Sequence, residues 1–180
     1  MRHPPSVKSF YSSFGINTTD VTAPGGDSQF GTPPFVGTPG RVLSTWPAAL
    51  TTSCPASRRV FDPGAAGALW CYQQGTSMAS PHAAGVAALI VSRYGDLGSP
   101  QNGKMRPGAV GAYLDQTADP QACPETLPLT GVSGLSYMAL GTGTQSRTFF
   151  PCQGGPGHNS WYGNGQVDAL GAVTKNSGNN

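Results

Sequence analysis

The sequence predicts a mixed α/β fold, a single domain arranged round a buried helix. Three observations lead there. Residues 83–91 are apolar throughout, with Gly85 the only position that has no side chain to bury. A helix apolar on every face is buried on every face. Short β-prone stretches at 20–23, 41–46 and 68–72 are bounded by proline and glycine, the punctuation of strands and turns. At 180 residues the chain is long enough for a sizeable core, and neither an internal repeat nor a composition break divides it.

Taken in order, Phe10-Tyr11-Ser12-Ser13-Phe14-Gly15 reads as a turn against a core. The strand at 20–23 stops at Pro24-Gly25-Gly26. Residues 27–40 read as a Gly-, Pro- and Thr-rich loop, the strand at 41–46 ends at Pro47, and 47–66 reads as irregular. The third strand, 68–72, leads straight into Gly75-Thr76-Ser77. The main helix is expected over 77–94, with Pro81 near its first turn, where a missing N–H costs little, and Gly95 as the C-terminal stop. Its alanines and Gly85 are expected to let neighbours approach closely, so a large residue at 85 should overpack.

Residues 96–105 form a turn-rich linker. A second helix is expected over 106–117, with Pro107 at its start and Val110, Tyr113 and Leu114 on one face. A long excursion, 118–160, shows little periodicity, and 135–140 is either a strand or nothing regular. A tight turn at 161–165 precedes a short helix, 166–173, with Val167, Leu170 and Val173 facing one way. Residues 176–180 should fray.

Composition narrows the partners. Charged residues make up 10%, the net charge is +2, and Arg58-Arg59 is the densest basic cluster. That gives no electrostatic footprint for nucleic acid or an anionic membrane. The longest apolar run, about nine residues, is far below the roughly 20 that cross a bilayer. The first eight residues carry charge without a following apolar segment and do not read as a signal peptide.

Cys54, Cys71, Cys123 and Cys152 lack metal-ligand spacing, so no zinc site is expected. Four cysteines allow three pairings. We prefer Cys54–Cys71 and Cys123–Cys152, since each staples one loop-rich stretch and adds about 3 kcal/mol by restricting the unfolded chain. Four reduced, buried thiols are the alternative. Disulfides imply an oxidising compartment.

The chemistry centres on Ser77. A serine at the start of a helix is commonly a cap. The same position places a hydroxyl beside unpaired backbone N–H groups at the positive end of the helix dipole, where it can attack a carbonyl and help hold the resulting oxyanion.

Gly75-Thr76-Ser77-Met78-Ala79-Ser80-Pro81-His82-Ala83-Ala84-Gly85 resembles the active-site serine signature of the subtilisin-like serine proteases. Phe10 to Gly15 with Asp20-Val21-Thr22-Ala23-Pro24-Gly25, and Tyr162-Gly163-Asn164-Gly165-Gln166-Val167-Asp168-Ala169, resemble segments that precede the serine and close the catalytic domain in that family. The resemblance spans about 10–173, with dissimilar stretches at 27–40, 47–66 and 119–160. It implies the C-terminal part of a peptidase domain, with the serine helix central to a mostly parallel sheet. It also implies a serine-type endopeptidase acting on peptide or protein substrates through an acyl-enzyme on Ser77, without metal or cofactor, in an extracellular setting.

The same resemblance requires an upstream aspartate, a histidine base and an oxyanion asparagine, in the order Asp…His…Ser. The 76 residues before Ser77 hold one histidine, His3, and one asparagine, Asn17, neither in the family's context. Asp20, Asp27 and Asp62 all follow His3. His82 lies about 140° round the helix from Ser77 and reads as a packing residue. His158 reads as a surface residue and Asp168 as a helix-turn residue. The chain alone is therefore expected to lack appreciable activity and to need an N-terminal part of the catalytic domain as partner. Half a parallel sheet would leave an open edge and an apolar face, inviting aggregation. The competing expectation is a non-catalytic, disulfide-stapled extracellular binding or structural module.

Overall fold

A computed structural model describes residues 8–9, 11–28, 40–65, 67–96, 103–123, 138–139, 148–149 and 152–175. The largest sheet has three strands, β1 (Val42–Trp46), β2 (Arg59–Phe61) and β3 (Leu69–Gln73), in the order β1-β3-β2. Aromatic Trp70 and Tyr72 suit β3 to its central place. Both pairings are antiparallel, with Ser44 and Arg59 opposite Cys71 and with Trp46 and Phe61 opposite Leu69. Leu69 and Cys71 are buried.

The mostly parallel sheet expected from the sequence is therefore not what forms. A short turn joins β2 to β3, with the Gly64 amide donating to Asp62 Oδ1 at 2.8 Å and the Ala68 amide to the Ala65 carbonyl at 2.9 Å. So short a link permits only antiparallel pairing; parallel strands need a crossover of a dozen or more residues. The stretch 47–66, expected to be irregular, supplies β2 and two 3-10 turns, Thr51–Ser53 and Ala56–Arg58. The Cys54–Cys71 disulfide fastens these turns to the sheet, and Arg59 Nε donates to the Cys54 carbonyl at 2.7 Å.

Among the described residues three helices follow: α1 (Thr76–Tyr94), α2 (Pro107–Thr117) and, near the end, α3 (Ala169–Thr174). Pro107 opens α2 as expected. Val86 and Ile90 of α1 meet Ala172 of α3 in the buried core, with Tyr94, Met105, Tyr113, Leu114 and Val167 packed round them. Tyr94 and Tyr113 stack with ring centroids 4.8 Å apart, and the Tyr94 hydroxyl donates to the Lys175 carbonyl at 2.6 Å.

The helix expected to be buried all round is buried on one face only. Ala84, Gly85, Ala88 and Leu89 are exposed, Leu89 by 45%. α2 and α3 cover the stripe that carries Val86 and Ile90, and a Cβ placed on Gly85 would meet nothing within 4 Å. Pro81 sits at the sixth position of α1 rather than in its first turn, so its missing N–H leaves the Ser77 carbonyl without its helical donor. Gly95 ends the helix in an extended conformation; a side chain there would lie 2.5 Å from the Gly103 carbonyl oxygen. α3 begins three residues later than expected, because Gln166 is drawn into bridges and Asp168 caps the helix by accepting from the Gly171 amide at 3.0 Å. Leu170, expected on one face with Val167 and Val173, is 70% exposed, whereas Val167 packs against the core.

The predicted strand at 20–23 is reduced to one parallel bridge, Thr22 to Gln166. In the long excursion, β4 (Met138–Ala139) pairs with β5 (Thr148–Phe149), and β6 (Gly154–Gly155) with β7 (His158–Asn159). The rest of the stretch 135–140, the fraying expected at 176–180, and His3 lie outside the described residues. Both preferred disulfides are present: Cys54–Cys71 closes 17 residues and Cys123–Cys152 closes 29.

Two consequences can be measured by chemical denaturation. Gly85→Ala should stabilise the chain by about 0.5–1 kcal/mol, since the new methyl meets open space and helix propensity rises; a loss of stability would mean that this face is covered in solution. Asn159→Ala should cost about 2–4 kcal/mol, because the fully buried amide accepts from the Trp161 and Tyr162 amides and donates to the Gln121 carbonyl.

Candidate active site

The site is built where the segment 22–28 meets the start of α1. Gly75, φ 152°, caps the helix with no side-chain bond, so the cap expected from a serine falls to a glycine. That φ lies outside the range open to most side chains. The Gly75 amide donates to the Gly25 carbonyl at 2.9 Å, and a Cβ on Gly25 would lie 2.8 Å from the Gly75 carbonyl oxygen. Gln74 reinforces the approach, its Oε1 accepting from the Ser28 amide at 2.6 Å.

Ser77 is the second residue of α1 and is exposed. The helix begins with the Met78 amide donating to the Gly75 carbonyl at 3.0 Å and the Ala79 amide at 3.4 Å. Among the described residues the Thr76 and Ser77 amides have no acceptor, and the Ser77 hydroxyl has no hydrogen bond. Two N–H groups thus stand at the positive end of a 19-residue helix beside a free hydroxyl.

Neither described histidine is brought to that hydroxyl. His82 is exposed rather than packed, and its Nδ1 lies 2.8 Å from the Met78 carbonyl, one turn back on its own helix. His158 is on the surface, as expected, with Nε2 2.6 Å from the Ile16 carbonyl and Nδ1 3.2 Å from Asn164 Oδ1. Both ring nitrogens are engaged away from Ser77. Asp20 and Asp62 are at the surface or half-buried, Asn17 lies in an exposed turn, and Asp168 caps α3. Among the described residues, no three His, Cys, Asp or Glu side chains gather as metal ligands, and no helix is long and apolar enough to cross a membrane.

Behind the helix start lies a cleft of about 280 Å³, lined by Thr76 and Ala79, the 22–27 segment, Lys8, Tyr11 and Trp161. Asp27 is 3% exposed. Lys8 Nζ lies 4.8 Å from the Phe14 ring centroid and 5.9 Å from that of Trp161, and donates to the Ser9 carbonyl at 3.1 Å. Burial lowers the Lys8 pKa to about 8, with buried Asp27 pulling the other way. The Tyr11 hydroxyl donates to the Gly25 carbonyl at 3.1 Å and to the Gly26 carbonyl, and burial raises its pKa. Sequence reasoning missed this polar group. Lys8, Tyr11 and Asp27 are spaced too irregularly to share an element, and only the fold joins them.

It also missed Asn159. The Asn159 side chain is fully buried, and its Oδ1 accepts from the Trp161 amide at 3.1 Å and the Tyr162 amide at 2.9 Å. An asparagine two residues before a tryptophan in a glycine-rich run is the one signal that pointed to such a turn.

Lys8 makes stability depend on pH in a stated direction. Its folded pKa lies below the unfolded one, so protonation opposes folding below about 8 and that penalty fades as pH rises towards the ordinary lysine value. Urea midpoints should rise between about pH 8 and pH 10, before the burial-raised Tyr11 and Tyr162 begin to act in the opposite sense. The rise should vanish in Lys8→Met; an unchanged rise would assign it elsewhere.

Residues 4–165 match the model of the subtilase family. No curated protein and no solved structure gives a significant match. The match covers most of the chain, including the Gly75–Ser77 helix start, the 22–25 segment that abuts it and the turn at 161–165, and by it the chain belongs to the subtilase family of serine peptidases.

Proposed function

We propose that Ser77 is the nucleophile of a serine endopeptidase, attacking the carbonyl of a peptide or protein substrate to form an acyl-enzyme. The observation that carries this reading is the start of α1: an exposed hydroxyl without a hydrogen bond among the described residues, beside the unpaired Thr76 and Ser77 amides. In such a step the Ser77 oxygen bonds to the carbonyl carbon, its proton passes to a base, and the carbonyl oxygen takes negative charge. The Ser77 N–H serves as one donor to that oxyanion, aided by the helix dipole.

The base comes from elsewhere. An alcohol is overwhelmingly protonated at neutral pH, and both described histidines direct ring nitrogens to other partners. The family's aspartate, histidine and oxyanion asparagine are supplied by an N-terminal part of the catalytic domain, and the present chain alone is inactive. The exposed stripe Ala84, Ala88 and Leu89, continuous with the Ser77 end of α1, supports an additional polypeptide part on that side. Two disulfides support export to an oxidising, extracellular setting.

The test is complementation. The purified chain is assayed with casein and a fluorophosphonate probe, alone and with a subtilase N-terminal portion carrying the aspartate, histidine and asparagine. Hydrolysis is expected only in the mixture, and Ser77→Ala should reduce it by on the order of 10⁴-fold or more. Ser77-dependent turnover by the chain alone would overturn the assignment of the base to a partner. A mixture that forms a complex yet stays inert would favour a non-catalytic module.

A further inference from the structure

Asn17 has no part in the serine chemistry, yet it occupies a pattern with a chemistry of its own. Asn17-Thr18-Thr19 is an asparagine followed by a non-proline residue and a threonine, and no other asparagine of the chain has serine or threonine two residues on. This is the acceptor pattern for N-linked glycosylation, which requires a surface loop in an exported chain.

The fold presents it as such a loop. Residues 16–18 form an exposed turn in which the Thr18 and Thr19 amides both donate to the Gly15 carbonyl, at 3.2 and 3.3 Å. The base of the turn is pinned to the closing segment of the chain. The Gly15 amide donates to the Ser160 carbonyl at 2.8 Å, and His158 Nε2 lies 2.6 Å from the Ile16 carbonyl. Asn17, at the tip, is exposed, and its amide has no hydrogen bond among the described residues. A substituent on that nitrogen displaces no packed side chain. Beside it Ile16 is 39% exposed, an apolar surface that a sugar would shield.

We propose that Asn17 is the acceptor for an N-linked oligosaccharide, an inference that rests on the export reading above. The donor class is a lipid pyrophosphate-linked oligosaccharide. Asn17 Nδ2 bonds to the anomeric carbon of the first sugar and gives up one proton, while the bond from that carbon to the pyrophosphate oxygen breaks and the lipid pyrophosphate leaves. No oxidation state changes. Thr18 and Thr19 also line a second cleft, about 370 Å³, together with Thr76 and Ser80 of α1. An oligosaccharide on Asn17 is attached one residue before that lining, on an exposed turn, and leaves the packed core untouched.

The full chain, placed behind a cleavable secretory leader, is translated in the presence of microsomes, and protease-protected chains are resolved by gel before and after digestion with peptide N-glycosidase. The wild type should show one slower band that the glycosidase collapses. Asn17→Gln and Thr19→Ala should both lack it, and Thr19→Ser should retain it. Because the leader supplies translocation and the band is read without any peptidase assay, the result is independent of Ser77 and of the native route of export. Protected wild-type chains with no glycosidase-sensitive band, or a band that survives Asn17→Gln, would overturn the proposal.

Discussion

Gln166 is held between two distant backbones, and the arrangement round it depends on that grip. Its amide donates to the Asp119 carbonyl at 2.9 Å, and its carbonyl accepts from the Asp119 amide at 2.7 Å. On the other side the Thr22 amide donates to the Gly165 carbonyl at 2.8 Å, and the Val167 amide donates to the Thr22 carbonyl at 2.9 Å. Three segments separated by about a hundred residues or more from first to last thus share one short ladder. Such long loop closures are entropically unfavourable, though the penalty grows only slowly with length. They persist because backbone groups at a half-buried junction find partners that water would otherwise supply. Gly165 has to be glycine there: its φ is 139°, and a side chain would collide with the Asp119 carbonyl.

The grip is passed on to the serine. Thr22, once fixed, sets the path of residues 23–27, and that path brings the Gly25 carbonyl to the Gly75 amide. Two glycines meeting backbone to backbone hold the helix start closer than side chains would allow. The outcome is a helix N-terminus positioned by main-chain contacts, with its hydroxyl and two amides left outward. Asn159 steadies the far end of the same chain of contacts, filling the inside of the 159–163 turn with hydrogen bonds rather than with hydrocarbon. A buried polar network of this sort is stabilising because it is satisfied; one missing partner would reverse its sign.

α1 carries two different surfaces. One packs Val86 and Ile90 against α2 and α3. The other exposes Ala84, Gly85, Ala88 and Leu89, on a helix whose sequence has the composition of an interior element. Composition alone cannot distinguish a helix covered by its own chain from one covered by another polypeptide part, since the same apolar residues serve both. The exposed stripe and the Ser77 hydroxyl lie on the same side of the helix.

The helices, two of the strands and the family were legible in the sequence, and the structure selected the preferred pair of disulfides from the three possible pairings. The legible features are written in local terms: Pro107 at a helix start, β-branched or aromatic residues at 42–46 and 69–73, and an eleven-residue run round Ser77. The direction of strand pairing came from the fold, because a two-residue periodicity carries no information on whether a neighbour runs parallel or antiparallel. The fold also reduced the stretch at 20–23 to a single bridge, freed one face of α1, exposed Leu170 and gathered Lys8, Tyr11 and Asp27 at one cleft. Those outcomes depend on which surfaces meet, and burial belongs to the meeting of two segments rather than to the sequence of either.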